Sequence, residues 1–524
     1  MGDSKHEEFS KKILNEIDSE IISSQRDLSE RRFFWSKELG LSEMPSNPFI
    51  LAQTKKPSKK VLSFLTIKPT RSLSGVQVIA VMLPPFKCPG NCIYCPSQMN
   101  GKEAPQSYTG FEPSTMRAQR HNYDAYKIVE GRAKQLDATG NFAEKIELIF
   151  QGSSFTALDK RKQISIVKKS LDAISGKKTK SFEESKLTAE KSKRRVVGIT
   201  YETRPDICKE KEIDRLLDLA GTRIELGVQN PDDEIYKRIK RGHTIQDVKE
   251  STQLLKDSGF KVLYHLMPGL PGSNPKKDLK NFKKIFSDPD FMPDMVKFYP
   301  TLIMKNTQLY KEWKKGQFKP MTEKQAIDLL TKLKPELPNW VRVMRVNRDI
   351  PSTIIEGGIK KTNLRQLVHD EMKAQGKECR CIRCREAGLR SRDEPTKIKK
   401  AKLKREYYSA SGGREIFISY ETKKALFGFV RLRIPSKPFR KEITNKTALI
   451  RELHVYGKTL GVGKKGDSSQ HKGIGKKLMS EAERIAKNEF GSEKIVVISG
   501  LGVKEYYRKN FGYKKDGPYM SKSL

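Results

Sequence analysis

A run of closely spaced cysteines is the first feature of this sequence that points to chemistry. Cys88, Cys92 and Cys95 lie within CPGNCIYCPSQ, and Tyr94 adds an apolar wall beside the third cysteine. The preceding run VQVIAVML (76–83) predicts a strand, so the thiols lie in a loop at its carboxyl end. A [4Fe–4S] cluster usually takes four thiolates, and three would leave one iron open. The alternative is a structural zinc site with a distant fourth ligand.

A second cysteine group lies in ECRCIRCRE and comprises Cys379, Cys381 and Cys384. Three thiolates can hold Zn²⁺ in a tetrahedron if one more ligand is found, and His369 and Cys208 are the two candidates. The neighbouring arginines lower thiol pKa values and favour metal binding. The alternative is three reduced thiols without a role. We expect a structural zinc between two domains, because nothing nearby looks like a general base.

A glycine-punctuated loop, QHKGIG (470–475), precedes a helix predicted to begin near Lys476. Glycines let several backbone N–H groups point the same way, and with a helix N-terminus they form a cradle for an anion. A Gly-x-Gly sequence alone is weak, but this one follows the strand-like run IRELHVYG and precedes the long helix KKLMSEAERIAKNEF. The loop therefore predicts an anion-binding site.

Alternating strands and helices must position the first cysteine group. Six short runs rich in β-branched residues predict strands that can be buried on both faces; they lie at 76–83, 145–152, 194–202, 222–229, 260–269 and 294–303. Helical patterns separate them, so we expect an incomplete parallel (β/α) barrel in an α/β fold. Glu202, Arg204 and Gln229 lie near carboxyl ends of consecutive strands, where barrel sites form. A structural ion pair between Glu202 and Arg204 is the alternative.

We expect four segments along the chain. They are a basic N-terminal helical arm (1–74), a partial barrel (75–345), a zinc-binding and basic linker (346–404) and an α+β domain (405–524). In the arm, apolar residues at spacings of four predict one buried helix face: Phe9, Ile13, Ile17 and Ile21.

Three polar stretches are expected to lie outside the packed layers. The basic, Pro-punctuated residues 53–72 predict an extended arm that contacts a polyanion. The Lys-rich residues 176–195 predict a solvated loop within the barrel, and residues 391–406 predict a linker or basic strip.

The charge of the chain limits its partners. Lys and Arg total 104 against 63 Asp and Glu, a formal net charge of +41. This excess predicts a polyanionic partner, with nucleic acid first. The start lacks the apolar core of a signal peptide, and no run of about 18 apolar residues occurs. Seven cysteines, six of them in two tight groups, favour metal chemistry in a reducing cytoplasm over a disulfide framework.

The motifs together resemble a known family. The spacing and position of the first cysteine group are similar to those of radical S-adenosylmethionine (SAM) enzymes, whose open iron chelates SAM. The glycine loop resembles the GNAT acetyltransferase loop that holds the CoA pyrophosphate. Further runs resemble the catalytic subunit of Elongator over about residues 75–524; they are SYTGFEPSTMRA, ITYETRPDIC, RIELGVQ, RGHT, YHLMPGLPG and VMRVNRDIPSTII.

The resemblance implies a radical-SAM partial barrel joined to a GNAT domain, with a [4Fe–4S] cluster, SAM, acetyl-CoA and Zn²⁺. It implies carboxymethylation at C5 of the wobble uridine in the tRNA anticodon stem-loop. A 5′-deoxyadenosyl radical takes hydrogen from the acetyl methyl group, the carbon radical adds to C5, and hydrolysis releases CoA. A homodimer or partner subunits remain open.

The resemblance also implies roles for individual residues. The cluster ligands are Cys88, Cys92 and Cys95, and the zinc ligands are Cys379, Cys381 and Cys384. The SAM-binding residues are Gly152, Ser153, Glu202, Arg204, Gln229 and Lys261. The acetyl-CoA-binding residues are Lys145, Glu452, Leu453, His454, Val455, Ser469, Gln470, His471, Gly473, Gly475 and Tyr507. The catalytic residues are Lys261, Tyr299 and Tyr507, with core packing as the alternative for Tyr506 and Tyr299, and Glu452 or His454 as a candidate general base.

Two departures from the family pattern stand out. In QGSSF (151–155), Gly152 is kept but Ser153 replaces a second glycine, and Ser97 and Gln98 replace small glycines after the cysteine loop. Two other functions are therefore compared. One is a protein-lysine acetyltransferase with a structural cluster, against which the positive charge argues. The other is a tRNA-binding scaffold without catalysis, which only QGSSF favours.

Overall fold

The structure, a computed structural model, describes residues 2–67, 75–96, 103–390, 398–456 and 473–524. These residues form an N-terminal helical unit and two seven-stranded sheets. The first sheet is an open parallel half-barrel, as predicted. The second sheet is mixed and, with the helices packed on it, forms the predicted α+β domain. Among the helices described, none is both long and apolar enough to cross a membrane.

The N-terminal unit packs four helices around a core of its own. They are α1 (Gly2–Asp18), α2 (Gln25–Glu38), α3 (Asn47–Ala52) and α4 (Lys59–Leu65). Phe9, Ile13 and Ile17 are buried on one face of α1, as predicted. Ile21 was wrongly included, because α1 ends before it; its side chain is 57% exposed, and Ile22 is buried instead.

The basic stretch 53–72 is not the extended arm that its composition predicted. Helix α4 lies within it, and Ser58 caps this helix by accepting a hydrogen bond from the backbone N–H of Val61 at 3.1 Å. Val61 and Leu65, four residues apart, are buried against the other helices. Two apolar residues at helical spacing therefore outweigh the surrounding lysines. Residues 68–72 lie outside the described part of the chain.

The half-barrel consists of seven parallel strands in sequential order. They are β1 (Val76–Met82), β2 (Lys145–Gln151), β3 (Arg195–Thr203), β4 (Arg223–Gln229), β5 (Lys261–Leu266), β6 (Met295–Phe298) and β7 (Arg342–Val346). Six of them match predicted strands. Strand β7 was missed because its sequence, RVMRV, is short and carries two arginines, so it does not read as a buried parallel strand.

Within the described residues, thirteen helices accompany the half-barrel and the segment after it. They are α5 (Pro113–Arg120), α6 (Ala125–Ala138), α7 (Lys160–Ser175), α8 (Phe182–Lys191), α9 (Glu210–Asp218), α10 (Asp233–Arg238), α11 (Ile245–Asp257), α12 (Pro275–Ser287), α13 (Gln308–Lys314), α14 (Glu323–Leu333), α15 (Leu364–Ala374), α16 (Ile382–Arg385) and α17 (Ala387–Arg390). The solvated loop predicted at 176–195 is wrong, because α8 lies there. Ser181 caps α8 and Ser185 and Ala189, one turn apart, are fully buried, so small residues let this Lys-rich helix pack closely.

The second sheet has the order β13-β14-β12-β11-β10-β9-β8. Its strands are β8 (Lys402–Ala410), β9 (Gly413–Glu421), β10 (Leu426–Ile434), β11 (Thr447–Val455), β12 (Lys494–Val497), β13 (Lys514–Asp516) and β14 (Tyr519–Ser523); its helices are α18 (Ile474–Asn488) and α19 (Lys504–Phe511). Strand β8 begins inside the segment predicted as a linker, 391–406. It is an edge strand with charged residues on its exposed face, a composition that protects sheet edges but resembles a linker.

The second sheet packs against the amino ends of the half-barrel strands. Arg451 of β11 donates to the backbone carbonyl of Phe260, just before β5, at 2.7 Å and to Asp294, just before β6, at 2.8 Å. Arg431 of β10 donates to the carbonyl of Trp340, just before β7, at 2.8 Å. The carboxyl ends of the same strands therefore remain on the opposite side, where the cysteine loop lies.

Candidate active site

The loop after β1 carries the first cysteine group and is fixed at Ile93. The Ile93 backbone N–H donates to the carbonyl of Ile239 at 3.1 Å, and its carbonyl accepts from the N–H of Leu309 at 2.9 Å. Its side chain is buried among apolar residues that follow β4 to β6. Because Ile93 lies between Cys92 and Cys95, these contacts hold the thiols over the carboxyl ends of the strands, as predicted.

A cavity of about 150 Å³ opens in front of the cysteines. Eight of the residues assigned from the sequence line it: Cys88, Cys92, Cys95, Ser153, Glu202, Arg204, Gln229 and Tyr299. They come from the cysteine loop and from the ends of β2, β3, β4 and β6. Parallel strands thus bring together residues that are more than 200 positions apart in the chain.

The cavity favours a cationic group next to the thiols. Burial, together with the charges of Cys92 and Cys88, raises the pKa of Cys95 to about 12. Arg241 donates to Cys92 Sγ at 3.4 Å, and its other terminal nitrogen holds the carbonyl of Gly227. The Cys95 thiol therefore loses its proton more readily if positive charge is supplied, and a bound metal would supply it.

Glu202 and Arg204 do not pair with each other. Glu202 accepts hydrogen bonds from the Tyr108 hydroxyl at 3.1 Å and from Gln151 Nε2 at 3.3 Å. Arg204 makes a two-point contact with Asp206, at 3.0 and 2.9 Å. Its remaining nitrogen, Nη1, has no hydrogen-bond partner among the described residues. The structural ion pair considered from the sequence is therefore wrong, and both side chains present polar atoms to the cavity.

The turn after β2 has an unusual backbone. Gly152 has φ +120° and Ser153 has φ +65°. A Cβ at Gly152 would lie 3.0 Å from Pro105 and 3.2 Å from Leu83 and Met82. Ser153 therefore occupies a left-handed conformation, which a glycine adopts without steric cost. Ser97 and Gln98, the other departure, lie outside the described residues.

Three interacting side chains, those of His265, Glu225 and Lys297, lie at the cavity. His265 Nε2 lies 2.7 Å from Glu225 Oε2, which also pairs with Lys297. The His265 ring packs edge-on against Tyr299, with centroids 5.4 Å apart. Burial raises the pKa of Tyr299 although Lys297 opposes the shift. Glu202, Glu225 and His265 are close enough to share a metal, but Lys297 already compensates the charge of Glu225.

Lys261 and Lys145 lie away from the cysteine cavity. Each is the first residue of its strand, β5 and β2 respectively, and so lies at the amino end of the half-barrel. Burial lowers the pKa of Lys261, and the carboxylate of Glu452 in the second sheet partly offsets this effect. The structure therefore places Lys261 between the half-barrel and the second domain rather than with the other residues assigned to SAM.

In the second domain, β11 separates from β12 halfway along its length. The two strands pair in parallel only from Thr447 to Ile450. Glu452, Leu453, His454 and Val455 pair with β10 on one side and lie beyond the residues of β11 that pair with β12. Arg431 donates to Glu452 at 2.9 Å, and Phe429 and Tyr456 flank the His454 ring.

Helix α18 begins where β11 opens. Gly473 is its N-terminal cap, with φ +72°. A Cβ at Gly475 would lie 2.9 Å from the Tyr506 hydroxyl, so Tyr506 covers the first turn and is 37% exposed. Tyr507 is the buried member of the pair, and burial raises its pKa. Tyr507 is therefore the more buried of the two tyrosines, although the sequence had suggested core packing for Tyr506. Ser469, Gln470 and His471 lie outside the described residues.

The second cysteine group is compact. The thiols of Cys379, Cys381 and Cys384 lie within 4.8 Å of one another. Neither His369 nor Cys208 belongs to this group, and Cys208 is fully buried in the core beside Ser251. The three thiols are close enough to share one Zn²⁺ ion.

Sequence reasoning missed several residues that line the cavity. Tyr108, Arg241, His265, Arg345 and Arg348 lie there, and Arg348 lies over the rings of Tyr108 and Tyr299. They belong to SYTGFEPSTMRA, RGHT, YHLMPGLPG and VMRVNRDIPSTII, runs that the sequence singled out without giving these residues a role. Because Arg241 follows β4, Arg345 lies in β7 and Arg348 follows β7, the barrel geometry was needed to bring them together.

The comparisons with known proteins agree with this architecture. The chain matches the radical SAM superfamily over residues 82–283, the radical SAM C-terminal domain over 293–374 and the acetyltransferase (GNAT) family over 383–513. The first match spans the cysteine loop and β2 to β5, the second contains β6 and β7, and the third runs from the second cysteine group to the end of α19.

Full-length relatives cover nearly the whole chain. A protein of Methanocaldococcus infernus named tRNA uridine(34) acetyltransferase is 51% identical over 493 residues, 92% of both chains. Elongator complex protein 3 of Saccharomyces cerevisiae is 41% identical over 505 residues, 94% of this chain and 90% of its own. The solved structure of archaeal Methanocaldococcus infernus Elp3 with an N-terminal deletion matches with a TM-score of 0.77 and 47% identity, covering 86% of this chain and all of that one.

Proposed function

We propose that this chain, which belongs to the family of tRNA uridine(34) acetyltransferases and Elongator complex protein 3, carboxymethylates C5 of the wobble uridine of tRNA. SAM and acetyl-CoA are the proposed co-substrates. The relatives' names support the tRNA uridine substrate, and the two matched families support the two co-substrates.

One observation carries this proposal: a single half-barrel has the cysteine cavity at one end and the acetyltransferase domain at the other. Buried ion pairs of Arg451 and Arg431 hold the second sheet against the strand ends. A protein-lysine acetyltransferase would not require such an arrangement, because its acceptor comes from outside. A radical reaction on a bound acetyl group does require both sites in one fixed body.

The cysteine cavity fits a [4Fe–4S] cluster and SAM. Cys88, Cys92 and Cys95 would hold the cluster, which leaves one iron for SAM. Arg204 Nη1 and Ser153 Oγ are buried polar atoms without hydrogen-bond partners in the described part of the chain, and they suit the polar groups of SAM. Bound there, cluster and SAM supply a 5′-deoxyadenosyl radical. Tyr299, with Arg348 beside its ring, closes the cavity.

The second domain fits acetyl-CoA. The open edge of Glu452–Val455 offers backbone groups for the pantetheine amides, and the N-terminus of α18 suits the pyrophosphate. Lys145 and Lys261 lie at the half-barrel end that faces this domain, and we assign them to the acetyl-CoA side. Tyr507 lies close enough to Glu452 for its charge to raise the tyrosine pKa, and we assign Tyr507 to the thioester.

Two further features complete the proposal. Cys379, Cys381 and Cys384 hold a structural zinc, and the net charge of +41 binds the tRNA backbone. A thiol-rich, cluster-dependent enzyme requires a reducing compartment, so we assign the protein to the cytoplasm.

The test is anaerobic incubation of the reconstituted protein with tRNA, SAM and acetyl-CoA, followed by nucleoside mass spectrometry. The wild type should form carboxymethyluridine, and Cys92→Ala should form none. Cys208→Ala is the matched control, because this buried thiol belongs to neither cysteine group, and it should retain activity.

Two outcomes would contradict the proposal. Acetylation of peptide lysines without SAM would identify a protein acetyltransferase. Failure to assemble a cluster, with tRNA binding intact, would identify a scaffold.

A further inference from the structure

Arg241 is a buried cation that no carboxylate compensates. It lies just after α10, where its backbone N–H donates to the carbonyl of Tyr236 at 2.9 Å, and it is 7% exposed. Among the described residues, no Asp or Glu forms an ion pair with Arg241, and its Nε has no hydrogen-bond partner. A guanidinium keeps its proton in proteins. Because a buried charge is costly unless it is paired, this one requires a negative partner of another kind.

The guanidinium reaches a sulfur of the first cysteine group. Arg241 Nη1 donates to Cys92 Sγ at 3.4 Å, and Nη2 donates to the carbonyl of Gly227 at 2.5 Å. Contacts at both terminal nitrogens fix the plane of the guanidinium. Arg241, Cys92 and Gly227 all line the cysteine cavity, so this hydrogen bond lies where the cluster is proposed to bind.

Gly227 of β4 leaves the space that the guanidinium occupies. A Cβ at this position would lie 2.6 Å from Arg241 Nη2. The backbone of Gly227 does not have a positive φ, so a left-handed conformation is not the reason for a glycine here. The close approach of Arg241 is the steric reason, and a larger residue would push the guanidinium away from Cys92.

The other two thiols of the group have different partners. Cys88 Sγ accepts a hydrogen bond from the backbone N–H of Gly90 at 3.4 Å, and Cys95 Sγ lies 3.8 Å from the carbonyl of Pro96. Within the part of the chain that the structure describes, neither accepts a hydrogen bond from a charged side chain. The positive charge is therefore directed at Cys92.

We propose that Arg241 raises the reduction potential of the [4Fe–4S] cluster through its charge and its hydrogen bond to the Cys92 sulfur. Reduction adds one electron to the cluster, and no bond forms or breaks. The guanidinium stabilises the added negative charge, and burial strengthens this interaction. Hydrogen bonds to the sulfurs and nearby charge are among the properties that set such potentials. The inference rests on the proposed function for the cluster alone and does not depend on tRNA or acetyl-CoA.

The experiment is a redox titration of the reconstituted full-length protein, followed by electron paramagnetic resonance, without SAM, tRNA or acetyl-CoA. Arg241→Gln removes the charge and should lower the equilibrium constant for one-electron reduction about tenfold, which is about 59 mV. Gly227→Ala keeps the arginine but displaces its guanidinium, and should shift the potential in the same direction. This second variant decides the matter if Arg241→Gln does not fold or does not bind iron.

Arg238→Gln is the matched control. Arg238 ends α10, three residues before Arg241, and its partly exposed side chain pairs with Glu312. This variant loses the same charge and should keep the wild-type potential. Wild-type potentials in the iron-loaded Arg241→Gln and Gly227→Ala proteins would overturn the inference. An equal shift in Arg238→Gln would also overturn it, because net charge rather than the contact with Cys92 would then be the cause.

The outcome is separable from the proposed function. If the wild type forms carboxymethyluridine but the potentials of all variants are equal, only the inference fails. If the wild type modifies no tRNA but the Arg241 and Gly227 variants shift the potential, the role of Arg241 stands and the proposed function fails.

Discussion

Several residues around the cysteine cavity have backbone conformations that few amino acids adopt. Gly152, Ser153 and Gln229 all have positive φ, and all lie where a strand ends at the cavity. Strained residues of this kind persist only where the surroundings fix them, and they cluster at functional sites. In the turn after β2, we therefore expect stability to depend on side-chain volume at Gly152 but not at Ser153.

Gly152→Ala should destabilise the protein by about 1–3 kcal/mol, because its Cβ would press on Pro105, Leu83 and Met82. Ser153→Gly relieves a left-handed residue and should leave stability unchanged or raise it by up to about 1 kcal/mol. Thermal unfolding measures the stability of both variants, and a binding assay measures their affinity for SAM. A stable Gly152→Ala variant with normal SAM affinity would show that this turn does not shape the site.

His243 predicts a specific dependence of stability on pH. Burial lowers its pKa from 6.5 to about 4, although Asp206 raises it. The unfolded chain binds a proton below pH 6.5 and the folded chain does not. His243 therefore stabilises the fold above pH 6.5, and this contribution is lost as pH falls toward 4.

The predicted loss is about 3 kcal/mol between pH 7 and pH 4. His243→Gln should flatten this part of the profile of unfolding free energy against pH, compared with wild type. Parallel profiles for the two proteins would show that His243 is not buried as a neutral ring.

At the scale of elements, the sequence predicted the strands that are apolar and missed those that are charged. Runs such as KIELIFQG follow the pattern of a buried parallel strand, and β2 forms there. Strands β7 and β8 carry arginines and lysines, and only their neighbours in the sheet make them strands. The strand-end cysteines, Glu202 and Gln229 were predictable from position, whereas Arg241 and Arg348 required the three-dimensional arrangement of several loops.

The second cysteine group connects β7 with the second domain. Ile382 donates its N–H to the carbonyl of Val341 at 2.9 Å, and Arg385 pairs with Glu421 of β9. A metal bound to Cys381 would fix both contacts.

Cys381→Ser should therefore remove zinc and lower the thermal midpoint by several degrees, while the iron content stays the same. Metal analysis by mass spectrometry and a melting curve measure this, with Cys208→Ser as the control. Zinc-free wild-type protein, or loss of iron from Cys381→Ser, would contradict the assignment.

At the scale of the whole molecule, buried charges join the two sheets. Arg451 and Asp294 are both 0% exposed and contact at 2.5 Å, and Glu415 pairs with Arg451 at 2.9 Å. Such pairs add little net stability compared with apolar residues, but breaking one is costly. They fix the orientation of the two domains, which a reaction between two sites requires.

Arg451→Met should cost about 3–5 kcal/mol, because it leaves Asp294 and Glu415 buried with fewer partners. Arg484→Met is the control: this exposed side chain pairs with Glu481 of α18 and with Glu489 just after the helix, and its loss should have a far smaller effect, because exposed ion pairs contribute little. Limited proteolysis should cut between the domains only in Arg451→Met. Equal stability of the two variants would show that the interface does not depend on these charges.

The most direct test of the account follows the acetyl methyl group. The protein is incubated anaerobically with tRNA, SAM and acetyl-CoA that carries deuterium and ¹³C in the methyl group. The account predicts ¹³C in the C5 substituent of the wobble uridine and deuterium in 5′-deoxyadenosine. Label found on protein lysines, or 5′-deoxyadenosine without deuterium, would contradict it.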